Sequence, residues 1–404
     1  MPTVISPRAL WRRLSGKSPR HLLQVTLRRL ADRAGVGELD FPLHDRDVWD
    51  STRPLRPAAG RAPGGARRIG WVVVPPTPGS GGHTTFFRML AAAERAGHRN
   101  TLLLYDRYGG DTATHLDRLR RGWPWLDCEV RDIDDPLDDL DAVVASAWQT
   151  AHVMARRTAE LPVERFALLQ DYEPDFYARG SLRALAEDSY RFPVENIALG
   201  PMVAQRVADE LGVACRVIPY GTDRTTYRLL APASRRQGVV FFAKTGNDRR
   251  GYRLGVLALR EFQRRAPEVP IDVYGDTMRE PGLRVRNHGY LSPDALNELY
   301  NAAAAGLVLS FTNVSLVPAE LAAAGAIPVM NDFDGARAVF DNPHASWAAP
   351  TPGSLAQALE AAVAGATSER AAGLAAWPTA TWDDTAHALL DVIAPASVSQ
   401  DVIS

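Results

Sequence analysis

AGLVLSFTNVSLVPAELAAAGAIPVMND, residues 305–332, reads as one strand–loop–helix–strand unit. AGLVLS (305–310) and AIPVMND (326–332) are short apolar runs of strand length, and VPAELAAAG (317–325) between them reads as a helix. The polar segment Phe311–Ser315 separates the first strand from that helix. A strand, a covering helix and a second strand form the repeating unit of a parallel sheet.

Upstream the same texture repeats. GVVFFAKT (238–245) opens a new count of strands, followed by a helix over 252–264 and the strand IDVYGD (271–276). Before it lies a separate series. WVVV (71–74), TLLLYD (101–106), DAVVAS (141–146), FALLQD (166–171), ENIALG (195–200) and CRVIPYG (215–221) read as strands, with helices at 84–97, about 112–121 and 202–212. TWDDTAHALLDVI (381–393) reads as a closing helix. The chain of 404 residues is too long for one ordinary core. We therefore expect an α/β protein with four zones: a basic Pro/Arg-rich extension over 1–68, a first Rossmann-like domain over 69–225, a second over 226–375, and a helix and tail over 376–404. Two doubly wound sheets face each other across a cleft, and ligands of such sheets bind at the carboxyl ends of the strands.

Composition narrows the function. Hydrophobic residues make up 46% and charged residues 23%, with a net charge of -1, the profile of a globular protein and not of a nucleic-acid binder. Cys128 and Cys215 fall in no metal-ligand spacing, which fits a reducing cytoplasm. No signal peptide is readable, and no run approaches the ~20 apolar residues of a membrane span. Residues 1–35 nonetheless concentrate arginine, and Leu23, Leu27 and Leu30 share one helical face. Such a helix can lie on an anionic membrane, or it can pack on the neighbouring domain with its arginines in solvent.

Four segments after strands carry candidate chemistry. In PPTPGSGGHTT (75–85), Gly81 and Gly82 precede a helix, where backbone N–H groups can approach an anion. The turn is neither a dinucleotide fingerprint nor a Walker motif. His83 beside it can orient a sugar or phosphate, or cap the helix. In LLQDYEPDFYARG (168–180), Asp171, Tyr172, Glu173 and Tyr177 combine carboxylates for hydroxyl groups with aromatic faces for a pyranose. A carboxylate at the cleft can also act as a base or stabilise positive charge at an anomeric carbon. In AKTGNDRRGY (243–252), Lys244, Arg249 and Arg250 are fixed cations suited to a departing pyrophosphate. In the opening stretch, Ser315 and the helix start suit a phosphate, and Glu320 can bond both hydroxyls of a ribose.

The order of these blocks resembles the retaining GT-B glycosyltransferases of family four. It is most similar to bacterial polysaccharide rhamnosyltransferases of the S-layer-glycan and O-antigen kind. GSGGHTTFFRML (79–90), SAWQTA (146–151), LLQDYEPDFY (168–177), VIPYGTD (217–223), FFAKTGNDRRGY (241–252), HGYLSP (288–293) and SLVPAELAAAGAIPV (315–329) carry the resemblance. It implies that Lys244 with Arg249 or Arg250 holds the donor diphosphate and that Glu320 binds the ribose. By the same resemblance Gly289, Tyr290 and Leu291 contact the base through their backbone. Gly81 and Gly82 then approach the phosphates, and His83 and Asp171 face the sugar. Much of the wider family has a second Glu eight positions before Glu320; here Thr312 stands there. That departure is compatible with a deoxysugar donor such as a dTDP-rhamnose.

The expectation is thus a cytoplasmic transferase, at most peripheral at the membrane, acting on a nucleotide-sugar donor and a glycan or lipid-linked glycan acceptor. No cofactor and no metal are expected, because Asp134, Asp135, Asp138 and Asp139 read as solvated acids rather than Mg²⁺ ligands. The competing readings are a sugar-nucleotide epimerase or phosphorylase of similar fold, and a non-catalytic carbohydrate-binding protein that kept it.

Overall fold

The computed structural model describes residues 26, 27, 30, 41–60, 64–77, 79–230, 236–333 and 335–395. The chain divides into two compact units, Met1–Val48 and Trp49–Ser404. In the first, the described stretch holds a short 3-10 turn at Asp45–Asp47. Most of the basic amphipathic segment lies outside the described residues; Leu27 and Leu30, which lie within them, are helical and 55% exposed.

The second unit contains two parallel sheets. The first is built from β1 (Arg68–Val73), β2 (Arg99–Leu104), β3 (Glu129–Asp132), β4 (Ala142–Ala145), β5 (Glu164–Leu169), β6 (Glu195–Leu199) and β7 (Arg216–Ile218). Its helices are α1 (Gly81–Arg95), α2 (Thr112–Gly122), α3 (Trp148–Thr158), α4 (Ser181–Ser189) and α5 (Pro201–Leu211). The strand order is β3-β2-β1-β4-β5-β6-β7.

The second sheet is built from β8 (Val239–Ala243), β9 (Ile271–Gly275), β10 (Arg286–Gly289), β11 (Ala305–Val308), β12 (Ile327–Asn331) and β13 (Ser346–Ala348). Its helices are α6 (Tyr252–Arg265), α7 (Pro293–Ala302), α8 (Val317–Ala323), α9 (Ala336–Val339), α10 (Pro352–Ala364) and α11 (Ser368–Ala376). Here the order is β10-β9-β8-β11-β12-β13. Both sheets therefore start in the middle, wind outward one way, return and wind the other way. The loops after β1 and β4, and after β8 and β11, stand where the order reverses, the place where open α/β sheets bind ligands.

The central strands are buried along their whole length. β4, β9, β11 and β12 are AVVA, IDVYG, AGLV and IPVMN, which is why they read as continuous apolar runs. The edge strands β3 (EVRD) and β10 (RNHG) are exposed and polar, and the periodicity that reveals a buried strand is missing there. Helix α1 starts at Gly81, three residues before the sequence suggests, because the Ser80 side chain accepts from the His83 N–H and caps it.

A last helix, α12 (Trp382–Ile393), returns from the second sheet to pack on the first. Ala386, Leu389 and Ile393 join the core formed by Trp71, Phe86, Phe87 and Leu102. The two crossings of the chain run side by side, with Thr222 paired in parallel to Thr381. Gly221 is required at that crossing, since a Cβ there would stand 2.7 Å from the Thr381 carbonyl oxygen. The Arg/Pro-rich arm is laid on the first layer, where the Arg56 and Ala59 amides donate to the Ala159 and Pro162 carbonyls.

Candidate functional site

The switch-point loops of the second sheet meet the loop after β5 of the first around Asp171, two residues beyond the end of that strand. Asp171 is 5% exposed. Arg249 Nη1, from the loop after β8, donates to its Oδ2 at 2.7 Å, and Thr312 Oγ1, from the loop after β11, donates to the same oxygen at 3.1 Å. Burial pushes the Asp171 carboxyl above its ordinary range, and Arg249, Arg250 and Thr312 pull against that shift. Among the described residues no donor reaches its buried Oδ1. The neighbouring contacts tie the same loops together. Asn313 Nδ2 donates to the Gln170 carbonyl at 2.5 Å, and Gln170 Nε2 donates to the Gly82 carbonyl at 3.1 Å.

Arg249 and Arg250 are adjacent in sequence and face different partners. The Arg249 guanidinium lies 3.9 Å over the Phe176 ring. Arg250 Nη1 donates to Ser310 Oγ at 2.8 Å, and burial, then Arg249, lowers its pKa. Gly251 turns the chain between them and α6 with φ of 65°, and a Cβ at that position would meet Leu309 Cβ at 2.7 Å.

Lys244 stands just past β8 with its Nζ 3.5 Å from the Tyr290 hydroxyl. That hydroxyl donates to Asp276 Oδ1 at 2.7 Å, and Thr245 donates twice to Asp276 Oδ2. The structure thus brings together Lys244 and the Gly289–Leu291 segment, which the sequence assigned separately to phosphate and base. Gly289 has φ of 67°, so a glycine is favoured by the backbone itself.

Glu320 lies on α8. Burial pushes its carboxyl up to about 7, with Arg88 opposing the shift and Asp223 adding to it. Its surroundings are Tyr227, Tyr274 and Tyr300, the last two joined by a 2.6 Å hydrogen bond between hydroxyls. An acid with a pKa near neutrality in such a setting is a binding-site candidate on physical grounds. Ser315 is half-buried in the loop leading to α8.

Tyr220 connects the two groups. Burial pushes its hydroxyl up to about 12, and that hydroxyl senses Arg250, Asp171 and Glu320 together while bonding Thr85. The sequence reading missed Tyr220, Arg88 and Asp223. Tyr220 and Asp223 lie in the VIPYGTD block, just beyond the end of β7, and position alone marked them no more than their neighbours.

The first-sheet aromatic residues need correction. Tyr172 is 1% exposed and packs on Tyr190 at 5.9 Å, so it is a core side chain and offers no face to an acceptor. Glu173 Oε2 accepts from the Trp148 amide at the start of α3 at 2.6 Å, and burial pushes its carboxyl up to about 8. The Tyr177 hydroxyl accepts from Trp148 Nε1 at 3.1 Å. Glu173 and Tyr177 thus hold the start of α3 in place. His83 Nδ1 lies 2.9 Å from Ser80 Oγ, its ring also bonds the Val74 carbonyl, and burial lowers its pKa. Gly81 and Gly82 are exposed in the first turn of α1. Of the acids between β3 and β4, Asp134 pairs with Arg157 and Asp139 with Arg131.

Comparison with known proteins agrees with this architecture. The C-terminal domain of WsaF matches residues 237–360, and the N-terminal domain of WsaF matches residues 130–200. An O-antigen biosynthesis protein, RfbC of Myxococcus xanthus, is 30% identical over 343 residues, an alignment taking in 80% of this chain and 26% of that protein. The chain therefore spans 26% of the length of this curated relative. Among solved structures, sucrose-phosphate synthase from Thermosynechococcus elongatus superposes with a TM-score of 0.61 at 14% identity, covering 80% of this chain and 97% of that one. Anabaena Alr3699/HepE in complex with UDP and glucose superposes with a TM-score of 0.59 at 15% identity, covering 81% and 95%. The chain has the GT-B glycosyltransferase fold. Among the described residues, no helix is long and apolar enough to cross a membrane.

Proposed function

We propose that this GT-B glycosyltransferase moves a sugar from a nucleoside diphosphate sugar onto a growing cell-surface polysaccharide or glycolipid. The observation that carries the reading is the convergence on Asp171 of the first sheet, where Arg249 and Thr312 from the second sheet's side both donate to one carboxylate oxygen. A carboxylate for a sugar and cations for a diphosphate thus stand together, with the half-buried Glu320 on α8 left for a ribose.

In this reading Lys244 and Arg250 hold the diphosphate, with Arg249 available once it leaves Asp171. Glu320 accepts from the ribose hydroxyls, and the Gly289–Leu291 backbone meets the base. As the bond between the anomeric carbon and the diphosphate breaks, negative charge grows on the departing oxygen. Fixed cations lower the barrier because they are in place before that charge develops. Asp171 Oδ1, buried and without a donor, is suited to a hydroxyl of the sugar. Retention of configuration and a peripheral membrane location for residues 1–35 belong to the same reading, supported by the resemblance and the basic composition respectively.

The name of RfbC supports an O-antigen-like product. HepE has been described with UDP-glucose, whereas Thr312 on the sugar side is compatible with a deoxysugar. A thermal-shift and turnover panel of UDP-glucose, dTDP-rhamnose and GDP-mannose tests the proposal, since a ligand of the folded state raises its melting temperature. Lys244→Ala should cut turnover by about a hundredfold, the effect of removing one transition-state donor. Glu320→Ala should chiefly weaken nucleotide binding. Neither binding nor turnover with any nucleotide sugar would leave the non-catalytic reading in its place.

A further inference from the structure

Beside the donor machinery lies a cavity of about 820 Å³. It borders Arg249 and Thr312, both of which donate to Asp171, but its lining contains none of Lys244, Tyr290, Ser315 or Glu320. It therefore adjoins the sugar end of the proposed donor and not its nucleoside end. Its walls come from both sheets: Asp175 and Phe176 from the loop after β5, and Asp248, Leu254, Leu257 and Phe311 from the second sheet's side.

The chemistry of the walls selects among ligands. Phe311 is 40% exposed and Leu257 is 42% exposed, so both present apolar surface. The neighbouring charges are largely matched. Arg249 pairs with Asp171, Asp175 lies 2.8 Å from Arg183, and Arg253 lies 3.7 Å from Glu280. A wall whose cations are already paired gives little attraction to an anionic ligand. Aromatic and aliphatic faces beside carboxylate acceptors instead suit a neutral pyranose, with its C–H face and its ring of hydroxyls. The volume falls within the ~300–1,000 Å³ of small-molecule sites.

The walls are also fixed in advance. The Phe311 amide donates to the Arg249 carbonyl at 3.2 Å. Its ring lies against Gly251, where a Cβ would stand 3.1 Å from Phe311 Cε2. Phe176 is held beneath the Arg249 guanidinium.

We propose that this cavity seats the terminal sugars of the acceptor, a neutral oligosaccharide chain, with its reacting hydroxyl directed toward Thr312 and Asp171. The proposal rests on the chain being a nucleotide-sugar-dependent transferase. It moves acceptor binding from Tyr172, Glu173 and Tyr177 to the adjoining Asp175 and Phe176 and to the facing Phe311 and Leu257.

Ligand-observed NMR on the full chain tests it, with dTDP or UDP present to fill the nucleotide site. The probes are the methyl glycoside of an α-1,3-linked rhamnose disaccharide, and cellobiose. At least one disaccharide should bind wild-type protein, and Phe311→Ala and Leu257→Glu should each weaken it by about fivefold or more, the share of one sugar-stacking contact. Nucleotide affinity and melting temperature should stay at their wild-type values. Leu257→Glu alters an exposed helix position, so its effect does not depend on refolding of the loop. Disaccharide affinity unchanged in both variants overturns the proposal, as does failure of both probes to bind beside bound nucleotide. Joint loss of nucleotide and disaccharide affinity would assign the cavity to the donor. Failure of wild-type protein to bind either nucleotide would instead sink the transferase reading itself.

Discussion

The Asp171 carboxylate and the Arg249 guanidinium, separated by 2.7 Å, join the loop after β5 of the first sheet to the loop after β8 of the second. Their exposures are unequal: the Asp171 side chain is 8% exposed and that of Arg249 is 27%. The two deletions should therefore differ. Arg249→Ala leaves the more deeply buried charge with Thr312 as its side-chain donor and Arg250 as its nearby cation, whereas Asp171→Ala leaves a cation that can turn to solvent. Breaking a fully buried pair costs ~3–5 kcal/mol, and partial exposure should reduce this to about 2 kcal/mol for Arg249→Ala and less for Asp171→Ala. Urea midpoints at constant slope measure both. Equal losses would show that the pair contributes through geometry alone.

Glu320 makes a pH prediction. Folding raises its pKa from 4.5 to about 7, so between those values the folded chain keeps a proton that the unfolded chain has lost. Stability therefore falls as pH rises through this window, by up to about 3 kcal/mol, and levels off above it. Glu173, raised to about 8, adds a second decline in the same direction. Glu320→Gln should flatten the first component and leave the second. A ribose diol bonds better to the ionised carboxylate, so nucleotide affinity should rise from pH 6 to pH 8 in wild type relative to Glu320→Gln. Parallel pH profiles for the two proteins would remove Glu320 from the nucleotide site.

The return of α12 to the first sheet predicts that this last helix stabilises the first sheet. Leu389 and Ile393 are fully buried among residues of β1, α1 and β2. Leu389→Ala should cost about 2–5 kcal/mol, the range for a large-to-small change in a close-packed core. Tryptophan fluorescence can follow this, because Trp71 and Trp123 belong to the same cluster. A loss below about 1 kcal/mol would mean that the helix is only loosely docked.

The sequence disclosed the alternation of buried strands and helices because parallel strands covered on both faces carry unbroken apolar runs. β3, β10 and β13 escaped because these edge strands have no such run, unlike the edge strand β7; RNHG at β10 contains no apolar side chain large enough to mark it. Lys244, Arg250 and Glu320 were legible because charged residues directly after strands, or on an otherwise apolar helix, need a reason to be there. Tyr220 and Arg88 were not, since their significance comes from residues on other, sequence-distant segments of the chain. Tyr172 was misread for a different reason. An aromatic–acidic block announces polar chemistry, but composition does not say which rings turn inward, and here Tyr172 faces Tyr190.

Gly81 and Gly82 offer a separation of stability from function. Neither has the positive φ that would require glycine. A Cβ on Gly81 would meet nothing within 4 Å, and one on Gly82 would come no nearer than 3.7 Å to the Gln170 side chain. The fold alone therefore does not call for glycine at either position, and alanine suits the first turn of α1 better. Gly82→Ala should leave stability unchanged or raise it by about 0.5 kcal/mol. If the turn lies against the donor phosphates, as the resemblance implies, the added methyl group displaces them. Turnover should then fall about tenfold or more through mispositioning of the reacting atoms, with Gly81→Ala acting in the same direction. A melting temperature at or above wild type beside reduced turnover would place these glycines at the ligand. Wild-type turnover in both variants would mean that the donor phosphates do not approach this turn.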